Sequence, residues 1–113
     1  DMLGRLLKGM GAARDGAAPT ALPVPRIEVD RGRPALLNVG GGSKTFAIPP
    51  HYDGWQHLLL DIDPKGGAEV VYDARELAQL ERGVFDAVYC SHNLEHYHHH
   101  EVPRVLAGFV HVL

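Results

Sequence analysis

The residues with the clearest chemical potential are three consecutive glycines and a carboxylate that follows them. Gly40, Gly41 and Gly42 come directly after the apolar run of residues 35–39, and Asp61 closes a second apolar run 19 residues after Gly42. Glycine accepts positive φ angles and lets a ligand lie directly against the main chain. A carboxylate about 20 residues beyond such a loop is typical of sites that bind the ribose hydroxyls of a nucleoside cofactor. These residues therefore predict a nucleoside-binding site.

The same loop argues against a dinucleotide cofactor. The dinucleotide fingerprint that begins with Gly40 and Gly42 needs a third glycine at position 45, where the chain has Thr45. Pro49 and Pro50 also prevent the long helix whose N-terminus would hold a pyrophosphate. NAD and FAD are therefore disfavoured.

From residue 35 onward, short apolar runs alternate with helical patterns. The runs predict strands at residues 35–39, 57–61, 69–72 and 85–90. Residues 74–80 can form a helix with Asp73 as its N-cap, and the apolar residues between 102 and 113 recur with the period of an amphipathic helix. This alternation predicts an α/β fold with a parallel sheet and right-handed crossovers.

Residues 1–34 have a different character. The apolar residues between Met2 and Met10 recur at helical spacing, which predicts either a short amphipathic helix that docks on the domain or on a partner, or a frayed terminus. Residues 11–25 are rich in Ala, Gly and Pro and predict an irregular linker, and the alternating residues 26–30 predict a short edge strand. The chain thus divides into an N-terminal helix and linker (1–34) and an α/β domain (35–113).

Four segments of this domain carry a resemblance to a known family. They are residues 37–42, 60–64, 71–74 and 85–96. In order and spacing, residues 35–113 resemble the N-terminal half of a class I S-adenosylmethionine-dependent methyltransferase. The resemblance implies a Rossmann-like parallel sheet with flanking helices, truncated to about four strands of an expected seven. It also implies S-adenosyl-L-methionine as the cofactor and an unidentified methyl acceptor.

The resemblance also implies a role for each matched position. Gly40 and Gly42 would approach the methionine part of the cofactor, and Asp61 would accept hydrogen bonds from both ribose hydroxyls. Asp73 would bind the adenine amino group, with the backbone N–H of Ala74 facing the ring. Ser91 and His92 would lie near the methionine group and the acceptor, and His92 would be the base where the acceptor must lose a proton. The implied cofactor-binding residues are Asn38, Gly40, Gly41, Gly42, Asp61, Ile62, Asp73, Ala74 and Ser91.

Several of these residues also have a simpler structural interpretation. Asp63 precedes Pro64 and competes with Asp61 for the ribose role, or it makes only a local turn bond. Asp73 can act solely as an N-cap. Cys90, at the end of an apolar strand, is expected to pack as a small hydrophobic residue.

Two other functions remain open. The same scaffold could serve as a non-catalytic domain for nucleoside binding or assembly. His92, Glu95 and His96 also match the H-x-x-E-H pattern of inverted zinc peptidases, and His100 could share their helical face. The methyltransferase pattern explains this segment in full, so a zinc hydrolase is the remote alternative.

Length and composition set the remaining limits. A chain of 113 residues with a net charge of −3 predicts one small domain that is not a general nucleic-acid binder. No apolar run approaches the roughly 18 residues of a membrane span. The single Cys90 excludes an intramolecular disulfide, which favours a cytoplasmic protein. Four short strands would leave a sheet edge bare, so a homo-oligomer through that edge or through the N-terminal helix is a further interaction that the sequence allows.

Overall fold

Four parallel strands form the sheet on which the rest of the fold is built. The computed structural model describes residues 22–91 and 93–113. The strands lie side by side in the order β3-β2-β1-β4, and they are β1 (Ala35–Val39), β2 (Gln56–Asp61), β3 (Val70–Val71) and β4 (Ala87–Cys90). Every pairing is parallel, which confirms the predicted α/β fold with a parallel sheet.

β1 lies between β2 and β4 and is covered on both faces. All five of its residues are buried, as expected of an apolar strand inside a parallel sheet. Successive side chains of a strand point to opposite faces. Leu37 and Val39 belong to the main apolar cluster, which also contains Val105. The opposite face carries Leu36, which is fully buried, and Asn38, which is 2% exposed.

One α-helix and four short 3₁₀-helices accompany the strands in the described part of the chain. The α-helix, α1, spans Val102–Val112, close to the prediction. The 3₁₀-helices span Pro50–Tyr52, Pro64–Gly66, Ala74–Gln79 and Leu94–His96. The helix predicted at residues 74–80 is therefore a 3₁₀-helix of six residues. A segment this short forms too few α-helical hydrogen bonds to offset the cost of nucleating an α-helix. None of the helices in residues 22–91 and 93–113 is long and apolar enough to cross a membrane.

β4 begins two residues later than the sequence predicts, and the reason lies in α1. Phe85 N donates a hydrogen bond to Val112 O at 2.9 Å, and Gly83 N donates to His111 O at 3.1 Å. These bonds satisfy carbonyl groups at the end of α1 that have no partner inside the helix. Phe85, the first residue of the predicted strand, is thus hydrogen-bonded to α1 instead of β1.

The predicted edge strand at residues 26–30 is wrong. These residues are irregular, and the amide of Gln56 bonds to the last of them. Asp30 N donates to Gln56 Oε1 at 2.8 Å, and Gln56 Nε2 donates to Asp30 O at 2.8 Å. A side chain therefore makes the pair of bonds that a neighbouring strand would make. The helix predicted at residues 2–10 and the linker up to residue 21 lie outside the described residues.

Gly108 is the point where α1 packs against the 3₁₀-helix Ala74–Gln79. A Cβ atom on Gly108 would lie 2.7 Å from Cβ of Leu77, which is fully buried. Alanine normally stabilises a helix interior by about 1 kcal/mol relative to glycine, but overpacking of a core costs about 1–3 kcal/mol. We expect Gly108→Ala to lower the free energy of unfolding, measured by urea titration, because the core atoms of Leu77 cannot move aside.

The matched control is Ala107→Gly at the exposed neighbouring position of α1. This change removes only helix propensity and should cost about 1 kcal/mol. A Gly108→Ala variant that is more stable than the wild type would contradict the close packing of α1 on Leu77.

Candidate functional site

The residues that the sequence predicts for a site come together along one edge of the sheet. Gly40 follows β1, Asp61 ends β2, Asp73 lies two residues beyond β3, and Ser91 follows β4. The carboxyl ends of parallel strands share one edge, which is where open α/β sheets bind ligands. We call this edge the carboxyl rim. Gly40 N donates to Leu60 O at 2.9 Å and so joins the ends of β1 and β2 there.

The glycine loop has the positive φ angles that were predicted for it. The φ angle is 69° at Gly40 and 78° at Gly42. A Cβ atom on Gly40 would lie 2.3 Å from Asn93 Nδ2, and one on Gly66 would lie 2.2 Å from Gly42 O. Neighbouring loops of the protein itself therefore occupy the space that a side chain would fill at Gly40 and Gly66.

Asn38 lies beneath the loop, on the second face of β1. A Cβ atom on Gly41 would lie 2.8 Å from Asn38 Oδ1, and this oxygen has no hydrogen-bond partner among the described residues. Asn38 Nδ2 lies 3.1 Å from His57 Nε2. Burial and the nearby Lys44 ammonium lower the pKa of His57, so its imidazole is neutral and can accept this bond. A buried polar pair thus supports the glycine loop.

Asp61 and Asp63, the two competing carboxylates, both make local bonds. Asp61 is 5% exposed, and its Oδ1 accepts from Asp63 N at 2.9 Å. Asp63 caps the next 3₁₀-helix, because its Oδ1 accepts from Lys65 N at 3.0 Å. Asp63 therefore makes the turn bond of its simpler interpretation. Ile62 between them is half-buried, and Asp61 is the carboxylate at the end of β2.

Asp73 is bound by Arg75, a cation that the sequence analysis missed. Asp73 Oδ1 accepts from Arg75 N at 2.9 Å, which makes Asp73 the N-cap of the following 3₁₀-helix. Arg75 Nη2 lies 2.7 Å from Asp73 Oδ2, and Arg75 Nη1 also donates to Glu101 Oε2. The three side chains are only 11–13% exposed. Arg75 thus connects the end of β3 to the residue that precedes α1, and Ala74 beside it is buried.

The electrostatics of this triad favour its charged form. Burial disfavours the Glu101 carboxylate, but the hydrogen bonds from Arg75 and His98 N outweigh burial and lower the pKa of Glu101. Burial likewise disfavours the Arg75 cation, and its hydrogen bonds to Asp73 and Glu101 outweigh that effect and raise the pKa of Arg75. Arg75 and Glu101 are therefore both ionised at neutral pH.

The segment after β4 packs under the glycine loop. Asn93 is 2% exposed, and its Oδ1 lies 3.7 Å from Cys90 Sγ. Burial raises the pKa of Cys90 to about 11, so Cys90 is a protonated thiol at neutral pH and packs as predicted. Ser91 is half-buried at the carboxyl rim, and His92 lies outside the described residues. The predicted roles of Ser91 and His92 stay predictions.

The histidine-rich segment is not a continuous helix. Leu94–His96 is a 3₁₀-helix, and the backbone is extended at Tyr97. His96 and His100 are both exposed and do not share an α-helical face, contrary to the expectation behind the zinc alternative. Residues 22–91 and 93–113 contain no group of three or more His, Cys, Asp or Glu side chains that could hold a metal ion.

Two residues of the carboxyl rim escaped the sequence analysis. Arg75 binds Glu101, which is 26 residues away, so no local pattern marks the contact. Asn93 shows a weak signal, since it is a polar residue shortly after an apolar strand. It packs against Gly40, which lies 53 residues earlier in the sequence. Comparisons of the chain with family models, curated proteins and solved structures gave no match.

The contact between Gly40 and Asn93 can be tested with a matched glycine. Gly83 has a φ of 70°, almost that of Gly40, but a Cβ atom there would meet nothing within 4 Å. Gly83→Ala should therefore lower the free energy of unfolding only through the strain of a positive φ at alanine, by about 1–2 kcal/mol. We expect Gly40→Ala to lower the free energy of unfolding, measured in urea, by about 1–3 kcal/mol more, because the new methyl group overlaps Asn93.

A double-mutant cycle identifies the source of that difference. In an Asn93→Ala background the overlapping amide is gone, and Gly40→Ala should cost no more than Gly83→Ala. If the excess cost of Gly40→Ala persists in this background, Asn93 does not pack against Gly40.

Arg75 should determine how the stability depends on pH. At neutral pH we expect Arg75→Met to lower the free energy of unfolding by about 1–3 kcal/mol, because two partly buried carboxylates lose their shared cation. In the wild type, the lowered pKa of Glu101 gives stability that is present above its ordinary value of 4.5 and lost as the pH falls through the folded-state value. In the variant, acidification should neutralise the unpaired Glu101 carboxylate and recover part of the stability.

Urea titrations at several pH values measure both effects. Arg31→Met is the control, because its ion pair with Glu81 is 56% and 62% exposed and should change the free energy of unfolding by less than about 1 kcal/mol. Parallel pH profiles for Arg75→Met and the wild type would contradict the described triad.

Proposed function

We propose that this chain forms the cofactor-binding half of an S-adenosylmethionine-dependent methyltransferase with a Rossmann-like sheet. The observation that carries the proposal is the meeting of the glycine loop and the buried Asp61 at adjacent strand ends, joined by the 2.9 Å bond from Gly40 N to Leu60 O. The parallel order β3-β2-β1-β4 supports it, since the first four strands of doubly wound nucleotide-binding sheets have this order.

The carboxyl rim offers the kinds of polar groups that the parts of this cofactor need. Asp61 ends β2 at the carboxyl rim, and its two carboxylate oxygens suit the two ribose hydroxyls of the cofactor. Asn38 Oδ1, a buried acceptor under the glycine loop, suits the amino group of the methionine part. These two side chains lie on the neighbouring strands β1 and β2.

The adenine contacts involve Asp73 and Ala74. Asp73 would share its carboxylate between Arg75 and the adenine amino group, because Arg75 already donates to both of its oxygens. Ala74 begins the 3₁₀-helix, and the first N–H groups of a helix have no partner inside it. In this proposal Arg75 fixes the position of Asp73 against the adenine.

The chemical demands on the protein are modest. The sulfonium of the bound cofactor supplies a methyl group that is already reactive, so no protein nucleophile is required. The residues of the carboxyl rim bind and orient the reactants and exclude water. Where the acceptor must lose a proton, His92, next to Ser91, is the proposed base.

A non-catalytic nucleoside-binding domain is the second candidate function. The observation in its favour is that several rim groups already have structural roles. Asn93 lies against Gly40, and Arg75 holds Asp73. Such a rim could bind a nucleoside without arranging a methyl transfer.

Calorimetry with S-adenosylhomocysteine tests the proposal, with a matched pair of carboxylate variants. Asp61→Asn should weaken binding by about 10–100-fold, equivalent to about 1.4–2.8 kcal/mol, because one acceptor of the ribose hydroxyls becomes a donor. Asp63→Asn, two residues away, should bind like the wild type because Asp63 caps the 3₁₀-helix Pro64–Gly66 and its replacement keeps an acceptor for Lys65 N.

The outcomes separate the candidates. A wild type that binds no S-adenosylhomocysteine, or an Asp61→Asn variant with unchanged affinity, would contradict the proposal. Adenosine that binds as tightly as S-adenosylhomocysteine would favour the nucleoside-binding domain, because the methionine part would then contribute nothing.

A further inference from the structure

β2 extends well beyond its neighbour β3. β3 pairs only with the last two residues of β2, in the register Leu60↔Val70 and Asp61↔Val71. The even-numbered residues of β2 direct their backbone groups to the β1 side, as the 2.9 Å bond from Gln56 N to Pro34 O shows. His57 and Leu59 therefore face the β3 side. Because the pairing of β3 begins at Leu59 O, the groups that β3 does not reach are His57 N, His57 O and Leu59 N. Outward-facing N–H and C=O groups of this kind are a template for pairing with another strand.

Two side chains occupy this part of the edge. Leu59 N donates to Glu69 Oε1 at 3.1 Å, and Lys44 Nζ donates to His57 O. Lys44 Nζ also lies 2.7 Å from Glu69 Oε2, which closes the group. The ammonium takes the place of the N–H, and the carboxylate the place of the C=O, of an absent neighbouring strand.

We propose that the Lys44–Glu69 pair is an edge cap that prevents β2 from pairing with β2 of a second copy of this chain. Two β2 edges can pair antiparallel about a twofold axis, because each offers the same groups to the other. In such a pairing, the N–H and C=O of His57 and the N–H of Leu59 would bond to the partner strand, so Lys44 and Glu69 would have to leave. The cap covers the part of β2 that β3 does not reach, and it does not depend on the proposed cofactor.

The geometry distinguishes an edge cap from an ordinary surface ion pair. The side chains of Lys44 and Glu69 are 34% and 41% exposed, and ion pairs this exposed add only about 0–1 kcal/mol to stability. Both charged groups, however, also bond to backbone atoms of the same strand. Burial opposes the Glu69 carboxylate, yet the hydrogen bonds from Lys44 and Leu59 N outweigh it and lower the pKa of Glu69. The carboxylate therefore stays charged and in place at neutral pH.

Sedimentation equilibrium of the full chain over a range of concentrations tests the cap. Glu69→Ala should raise the self-association constant at least about tenfold over the wild type, equivalent to about 1.4 kcal/mol. Glu69→Gln keeps an acceptor for Leu59 N and should associate like the wild type. Glu81→Ala removes an exposed ion pair away from the strand edge and is the control, with no change expected.

A charge swap separates the cap from the ion pair alone. Lys44→Glu combined with Glu69→Lys keeps two opposite charges, but it turns the carboxylate toward His57 O and the ammonium toward Leu59 N. We expect this double variant to self-associate like Glu69→Ala, because neither new group can bond to the strand. Association at the wild-type level in the swapped variant would overturn the proposal.

Amide hydrogen exchange locates the effect on β2. At concentrations where Glu69→Ala is monomeric, the Leu59 amide should exchange at least about tenfold faster than in the wild type, since its hydrogen-bond acceptor is gone. The Leu58 amide, which faces β1, should not change. Unchanged exchange at Leu59, or a Glu69→Ala variant that associates no more than the wild type, would overturn the proposal.

Discussion

The rest of the structure depends on the position of β1 in the sheet. β1 is paired on both sides, by β2 and by β4, and is buried on both faces. A strand in this position has no exposed side chains, so any binding groups it offers lie near its carboxyl end, in Asn38 and the glycine loop. The bond from Gly40 N to Leu60 O continues the pairing one residue beyond the strand, and the positive φ of Gly40 then ends the extended backbone.

Hydrogen bonds and ion pairs of side chains connect the short helices and strands of this domain at places where backbone pairing ends. Gln56 makes two backbone bonds to Asp30 where no strand is present. Arg75 connects the ends of two elements that do not otherwise meet through the backbone, with Asp73 on one side and Glu101 on the other. Each of these bonds uses a charged or amide group at a place where backbone pairing stops. The short elements are therefore held by a set of specific polar contacts as well as by the apolar core.

The parts of the fold that depend on local patterns could be predicted from the sequence. β1 and α1 were close to their predictions, because an unbroken apolar run and a regular helical period each identify an element without reference to the rest of the chain. The start of β4 could not be predicted, since it depends on the free carbonyl groups at the end of α1. The alternating residues 26–30 have the pattern of a strand, but the side chain of Gln56 satisfies Asp30 instead.

The candidate site likewise contains residues that could be predicted from the sequence and residues that could not. The glycines, Asp61 and Asp73 were recognisable because their spacing follows the strands, and they do lie at the same edge of the sheet. Arg75 and Asn93 could not be found, because each acts on a residue that is distant in the sequence. Glu101 is 26 residues from Arg75 in the sequence, and Asn93 is 53 residues from Gly40. Contacts of this kind follow from the packing and leave no periodic signal.

The two neighbours of β1 also differ in how far they lie along the chain, which bears on the order of folding. Ala35 pairs with Gln56, 21 residues later, whereas Leu36 pairs with Ala87, 51 residues later. Closing the longer loop costs about 0.8 kcal/mol more in chain entropy, so we expect β1 and β2 to meet first. β4 then arrives together with α1, because Gly83 and Phe85 bond to the last turn of that helix. We therefore expect the carboxyl rim to be completed after β1 and β2 have paired, when Asn93 reaches the glycine loop.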